Sequence, residues 1–210
     1  MFSELVDRAV HIAGRPDSLE DIAYSANETM RDISKRNDWD DDACEEIVAV
    51  TEPQTIWDPE VGRSRFRREE YIEDGCGCSP LRTRPSSRMR SHVGALYYRS
   101  GPTFIFSNVC DPLMIFYWAY QPWLEYYKNG DRPAVFDVKA NDWGGATEAD
   151  IDLVSNWMLE RHNNVVLSGT LANFFKAKSD ERQRTHFAAY EQGISHMVRG
   201  ESARQLLARR

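Results

Sequence analysis

Apolar residues recur at helical spacing in the first part of the chain, with polar residues between them. The pattern predicts one helix over 3–13, which Gly14 ends, and a second over 18–36, which Asn37 ends. Two such helices joined by a short polar link are typical of an antiparallel pair. We therefore predict an N-terminal helical hairpin within residues 1–44, as part of a helical domain.

Short apolar and aromatic runs of strand length follow in the middle of the chain. Residues 46–51 are rich in Val and Ile, and residues 94–107 hold two runs around the tight turn Ser100–Gly101, which predicts a hairpin. Residues 113–120 have the length and residue types of a central strand that is covered on both faces and pairs with this hairpin. Pro122 ends the strand, because proline cannot donate to a β-ladder.

No period runs through residues 52–93, which contain many arginines and the sequence "DGCGC". We predict a long irregular loop here, within a small antiparallel β-region that spans residues 45–146. Compact domains seldom carry such loops unless the loops are functional. A solvated stretch without a specific role is the other interpretation that the pattern leaves open.

Helical spacing returns in the last third of the chain. The C-terminal helices are predicted within 147–198, with a break at "RHNN" and a last helix that Gly200 ends. Residues 199–210, the C-terminal tail, are short, amphipathic and basic at the end. Such a tail either frays or folds onto a partner. The whole pattern predicts an α+β fold: a helical bundle with an inserted small antiparallel β-region and a protruding C-terminal tail.

The composition is that of a soluble globular protein, with 41% hydrophobic and 28% charged residues. The net charge of −7 argues against a dedicated nucleic-acid binder, although DNA could slide past such a protein without sticking. Arginine (21 residues) far exceeds lysine (5 residues). Arginine suits protein interfaces, but a GC-rich genome would produce the same excess.

No stretch near the aromatic residues is long enough to span a bilayer, which takes about 20 apolar residues. Glu4, Asp7 and Arg8 interrupt the apolar residues of the N-terminus, which predicts an amphipathic helix rather than a signal peptide. We therefore expect a protein that is made and used in a cytoplasm, with no membrane partner.

No pattern for nucleotide binding, hydrolysis or metal catalysis occurs in the sequence, so we expect no enzyme and no cofactor. Cys76 and Cys78 are spaced as C-x-C, unlike the usual zinc ligands, and Cys110 and His92 are the nearest further ligands. A small metal- or thiol-dependent protein stays open as an alternative. A second alternative is a single-strand nucleic-acid binder, because seven of the residues in 115–127 are aromatic and bases stack on aromatic rings.

The ordered set of elements resembles the head-to-tail adaptor proteins of short-tailed bacteriophages, the neck proteins of the tail tubular protein A type. The resemblance covers nearly the whole chain except the loop over 74–92. The segments that carry it are "AGRPDSLED" with "ANETMRDISKRNDW" (26–39), "YYRSGPTFIF" (97–106), "YWAYQPWLEYY" (117–127) with "DRPAVFD" (131–137), and "GTLANFFKAKSDERQRTHFAAYEQGISHM" (169–197).

This resemblance implies a structural protein of the virion neck and tail that is assembled in the host cytoplasm. Adaptors of this type form a twelve-fold ring, in which the helical domain grips the portal protein and the β-region faces the tail nozzle protein. The ring encloses the channel through which double-stranded genomic DNA leaves, without binding it tightly.

The resemblance and the pattern together select two sets of candidate residues. Trp123, Tyr126 and Tyr127 follow the break at Pro122, so we expect them at a subunit or nozzle interface. The C-terminal tail has no obvious place in the core, so we expect it to dock on the portal. Its candidate residues are Arg199, Arg204, Leu206, Leu207, Arg209 and Arg210.

Overall fold

The computed structural model describes residues 1–50, 56–57, 65–74, 82–83, 96–100, 103–106, 110–126 and 155–208. The chain divides into two compact units. The helical unit comprises Met1–Asn37 and Gln121–Arg210, and the β-unit comprises Asp38–Tyr120. Both ends of the chain thus build the helical unit, and the β-unit is inserted between them. The fold is α+β with helices dominant, as the pattern predicts.

The N-terminal hairpin forms as predicted. Helix α1 spans Phe2–Ala13 and helix α2 spans Leu19–Arg36. Gly14 ends α1 in the left-handed conformation (φ 67°), and its N–H donates to the carbonyl oxygen of Val10 at 3.0 Å. Glycine adopts this conformation without steric cost, which is why it ends helices so often. Asn37 follows α2 in extended backbone and ends it.

Helix α3 spans Trp157–Ala177, and Asn156 caps its start by accepting hydrogen bonds from the backbone N–H groups of Met158 and Leu159, both at 3.1 Å. The predicted break at "RHNN" is a kink at His162, where the backbone leaves helical geometry (φ −132°) and the helix then continues. The prediction that this helix starts at 147 is wrong at its described end, because Asn156 is in extended backbone (φ −152°) and the helix begins at Trp157. Residues 147–154 lie outside the described residues.

Helix α4 spans Gln183–Ala208, so the prediction that Gly200 ends the last helix is wrong. A Cβ atom placed on Gly200 would meet no other atom within 4 Å, and its backbone does not adopt a positive φ. A glycine permits a helix end but does not impose one, and the residues that follow it (Glu, Ala, Arg, Leu) favour helix. The C-terminal tail is therefore helical as far as Ala208.

The helices pack closely around a glycine in α3. A Cβ atom on Gly169 would lie 2.4 Å from Cγ2 of Thr29 in α2 and 2.8 Å from the ring of Tyr190 in α4. Absence of a side chain at this point lets the three helices approach one another. The fully buried core side chains of this unit include Phe2, Leu5, Ile22, Ile33, Phe174 and Phe175. Among the helices that the structure describes, none is both long and apolar enough to cross a membrane.

Seven strands are described in the β-unit. They are β1 (Ala43–Val50), β2 (Ile56–Trp57), β3 (Phe66–Asp74), β4 (Arg82–Thr83), β5 (Leu96–Ser100), β6 (Thr103–Phe106) and β7 (Cys110–Ala119). One sheet has the order β1-β7-β3 and a second has the order β2-β6-β5-β4. The β-unit begins earlier than the expected residue 45 and ends at Tyr120 rather than at the expected residue 146, so the segment that follows the aromatic strand belongs to the helical unit. The β-unit is also not wholly antiparallel, because β4 and β5 pair in parallel.

The aromatic strand β7 is central, as predicted, but its predicted partner is wrong. It pairs with β1 and β3, both antiparallel, whereas the hairpin of β5 and β6 belongs to the other sheet. Leu113, Ile115 and Tyr117 of β7 project from one face into the core of the unit, where Phe66 and Ile72 of β3 join them. The hairpin and the strand that follows it in the sequence thus belong to different sheets.

The prediction of an irregular loop over 52–93 is also wrong where the structure describes this range, because β3 lies inside it. The register of β3 against β7 shifts twice, between Phe66 and Arg68 and between Glu69 and Tyr71. Each bulge adds a residue to one strand and disturbs the alternation of inward and outward side chains. The strand therefore has no regular alternation of apolar and polar residues.

Candidate interaction surface

The segment after Pro122 is attached to the helical unit by a side-chain amide. Oδ1 of Asn27 accepts from the backbone N–H of Leu124 at 2.8 Å, and Nδ2 of Asn27 donates to the Leu124 carbonyl at 3.0 Å. Both bonds are buried, and the Leu124 side chain is buried as well. The backbone on either side of Leu124 is thereby held in one place.

An exposed aromatic pair sits beside this attachment. The rings of Trp123 and Tyr24 have centroids 5.5 Å apart at an interplanar angle of 55°. Trp123 is 45% exposed and Tyr24 is 60% exposed. Large exposed aromatic side chains held in a fixed position are typical of the contact points in protein interfaces.

Tyr126 is the third aromatic residue of this region that the structure describes. Its hydroxyl donates to Oδ1 of Asp7 in α1 at 2.7 Å. Partial burial raises the pKa of Tyr126 to about 12, and the hydrogen bond to Asp7 adds to the effect. The predicted interface residue Tyr127 lies outside the described residues.

Three glutamates are neighbours of Tyr24 or Trp123 along the chain. Glu20 and Glu28 precede and follow Tyr24 by four residues in α2, so they lie on the same side of that helix. Glu125 is exposed two residues after Trp123, with buried Leu124 between them. We call Tyr24, Trp123 and the three glutamates, Glu20, Glu28 and Glu125, the acidic aromatic surface.

The residues predicted to dock on the portal are partly described. Arg199 is exposed, and Arg204 is 59% exposed with its guanidinium 3.8 Å from the carboxylate of buried Glu201. Leu206 and Leu207 lie in the last turns of α4. Arg209 and Arg210 lie outside the described residues.

The β-unit holds a buried polar group that the sequence pattern does not indicate. The hydroxyl of Tyr117 donates to Oε1 of Glu46, and both side chains are buried. Burial raises the pKa of Tyr117, and the hydrogen bond to Glu46 raises it further. Burial likewise raises the pKa of the neighbouring Cys44 thiol. A protonated phenol and an unreactive thiol suit a structural role in the sheet.

The residues of the metal and thiol alternative fall largely outside what the structure describes. Cys76, Cys78 and His92 are not among the described residues, and Cys110 is the first residue of β7. Within the described ranges, no three His, Cys, Asp or Glu side chains are grouped as metal ligands would be.

A stacking platform for single-stranded nucleic acid requires exposed ring faces. Tyr117 and Trp118 of β7 are 2% and 6% exposed, and Phe116 is only half-buried. The aromatic residues at the centre of this strand therefore do not form such a platform. Trp123 and Tyr24, whose rings are exposed, belong to the helical unit.

Sequence reasoning selected Trp123 and Tyr126 but missed Tyr24 and Asn27. Tyr24 lies outside the apolar stripe of α2. A large aromatic residue on the polar side of a helix is the feature of the sequence that indicates a contact there. Asn27 is a weak helix former inside a helix, which often marks a specific side-chain contact.

No family model matches the chain, and no curated protein matches it significantly.

Proposed function

We propose that the protein is a head-to-tail adaptor of a short-tailed bacteriophage, a structural protein rather than an enzyme. It forms a ring between the portal and the tail nozzle, around the channel through which DNA leaves the capsid. It binds no cofactor in this role.

The arrangement of the chain is the observation that carries the proposal. The helical unit is built from both ends of the chain and the β-unit is inserted between them, in the order of elements that the resemblance implies. Helix α4 continues through Gly200 to Ala208, so the C-terminal tail extends a packed helix. A helical arm of this kind suits insertion between subunits of another ring.

Charge supports the same role. The exposed guanidinium groups of Arg199 and Arg204 can pair with carboxylates or backbone carbonyls of a partner. The chain as a whole is acidic, at −7. Phosphate binding depends on lysine and arginine, so an acidic lining lets DNA pass without being held.

Electron microscopy of the full chain incubated with its cognate portal rings tests the proposal. We expect a second ring stacked on one end of the portal, with twelve-fold symmetry. Absence of any added density at saturating concentration would reject the adaptor function.

Deletion of residues 200–210 tests the tail separately. We expect the shortened chain to lose docking to portal-bearing capsids, because the deletion removes the last turns of α4 and every predicted contact residue except Arg199. The matched control is Gly200→Ala, which keeps the tail and should dock normally. Docking by the shortened chain would show that another surface binds the portal.

A further inference from the structure

The backbone beside the acidic aromatic surface is anchored within the chain itself. The pairing of Asn27 with Leu124 fixes the backbone next to Trp123, and the indole ring rests against Tyr24. Neither Glu20 nor Glu28 has an ion-pair partner in the part of the chain that the structure describes. An anchored backbone loses little conformational freedom on binding, which favours affinity.

The chemistry of this surface fits an arginine side chain. A guanidinium group stacks on the faces of tryptophan and tyrosine and pairs with carboxylates. Trp123 and Tyr24 supply the rings, and Glu20, Glu28 and Glu125 supply negative charge around them. A lysine would satisfy the charge but would not stack in the same planar way.

The same chain carries a complementary segment far from the surface. The C-terminal tail has Arg199, Arg204, Arg209 and Arg210 within twelve positions. It follows directly on the packed part of α4, and its described arginines are exposed. In sequence, this segment combines arginines with two leucines, which suits a surface that is both acidic and aromatic.

The tail cannot reach the surface of its own chain. Helices α2 and α4 run in the same direction, as two ion pairs show. Near the start of both helices, Asp21 of α2 pairs at 2.8 Å with Lys178, which precedes α4 in the chain. Further along both helices, Arg36 of α2 pairs with Glu191 of α4 at 2.9 Å. At the rise per residue of a helix, Tyr24 lies roughly 18 Å before Arg36 along α2. Arg204 lies roughly 20 Å beyond Glu191, the partner of Arg36, along α4. The two regions therefore lie toward opposite ends of the helical unit.

We infer that the acidic aromatic surface binds the arginine-bearing C-terminal tail of a second copy of this chain. The contact is heterologous, because two different regions meet, and a heterologous contact builds a ring when its rotation closes. This inference rests on the ring-forming role proposed above. The contact gives the tail a partner when no portal is present. The portal and the neighbouring subunit then compete for the same segment.

Fluorescence anisotropy of a labelled peptide, residues 199–210, tests the contact when titrated with the full chain. Trp123→Ala and Tyr24→Ala should each raise the Kd on the order of tenfold. A Glu20→Gln, Glu28→Gln double variant should also weaken binding and reduce its salt dependence.

The matched control is Phe187→Ala, which removes an equally exposed ring (47%) from α4 and should bind the peptide as the unchanged chain does. A peptide with lysine in place of every arginine should bind more weakly than the natural one. Circular dichroism confirms that each variant is folded. No peptide binding to the unchanged chain, or equal losses in Trp123→Ala and Phe187→Ala, would overturn the inference.

Sedimentation velocity identifies the occupant. The full chain should associate as its concentration rises, and the chain without residues 200–210 should not. Equal association of both would overturn the assignment to a second copy. If electron microscopy shows portal docking but the peptide does not bind, this contact alone is rejected. If the peptide binds but the chain does not dock on the portal, the adaptor function alone is rejected.

Discussion

The side-chain amide of Asn27 pairs with both backbone polar groups of Leu124, in the way that a neighbouring β-strand would. Asn27 also donates to the carbonyl oxygen of Ala23 in its own helix at 3.3 Å. One helical residue thus satisfies the polar groups of a buried piece of chain. It attaches the segment after the aromatic strand to the N-terminal hairpin.

Asn27→Ala should therefore lower the free energy of unfolding by about 2–4 kcal/mol, because the N–H and carbonyl of Leu124 would lose these buried hydrogen bonds. Urea denaturation followed by circular dichroism measures the change. Asn164→Ala is the matched control, since Asn164 is exposed and its side chain accepts a long hydrogen bond from Arg8, at 3.5 Å. A loss in Asn27→Ala no larger than in the control would contradict the structural role.

Two helical glycines should respond in opposite directions to the same substitution. Gly169→Ala places a methyl group 2.4 Å from Thr29, so overpacking should destabilise the chain by about 1–3 kcal/mol. Gly200→Ala meets open space and should stabilise the chain by about 0.5–1 kcal/mol, since alanine favours helix. Thermal unfolding of both variants measures the difference, and equal shifts in Tm would show that the helices do not pack at Gly169.

Tyr126 should make stability depend on pH at the alkaline end. Burial, with the hydrogen bond to Asp7, raises its pKa to about 12, above the value near 10 of an unfolded tyrosine. The folded chain then keeps a proton that the unfolded chain releases, so the stabilisation is complete below about pH 10 and is lost as the pH rises to about 12.

Comparison with Tyr126→Phe isolates this effect from Tyr117 and Tyr190, whose pKa values burial also raises. The difference in unfolding free energy between the two chains should shrink from about pH 10 to about pH 12. Asp7→Asn should reduce the effect without removing the ring. A difference that is constant over this range would contradict the prediction.

The division of the aromatic cluster at Pro122 predicts a contrast between two tryptophans. Trp118→Ala should cost about 3–5 kcal/mol of stability, because Trp118 is 6% exposed in β7. Trp123→Ala should cost much less and should instead weaken assembly, because Trp123 is 45% exposed. Denaturation and analytical ultracentrifugation of both variants separate the two effects. Equal loss of folding in both would show that the division is wrong.

The helical part of the fold was the most predictable. In α1 and α2 the apolar residues recur at the period of the helix itself, so a local pattern indicates both the element and its buried face. The end of α4 was not predictable in this way, because Gly200 ends a helix only where neighbouring structure makes the left-handed conformation favourable.

Of the acidic aromatic surface, the sequence indicated Trp123 but not its neighbour Tyr24. The two are almost one hundred positions apart, and their contact depends on the attachment of Leu124 to Asn27. Polar contacts between distant segments leave no periodic signal, so such a surface emerges only when the segments are placed together.

Residue patterns along the chain were enough to indicate helices at both ends, β-strands between them, and an aromatic strand with buried side chains. The three-dimensional arrangement was needed to show that β7 pairs with β1 and β3 instead of the adjacent hairpin, and that the charged residues of β3 form a strand. The difference arises because periodicity reports which face of an element is buried. The choice of strand partner depends instead on hydrogen bonds and packing between residues far apart in the chain.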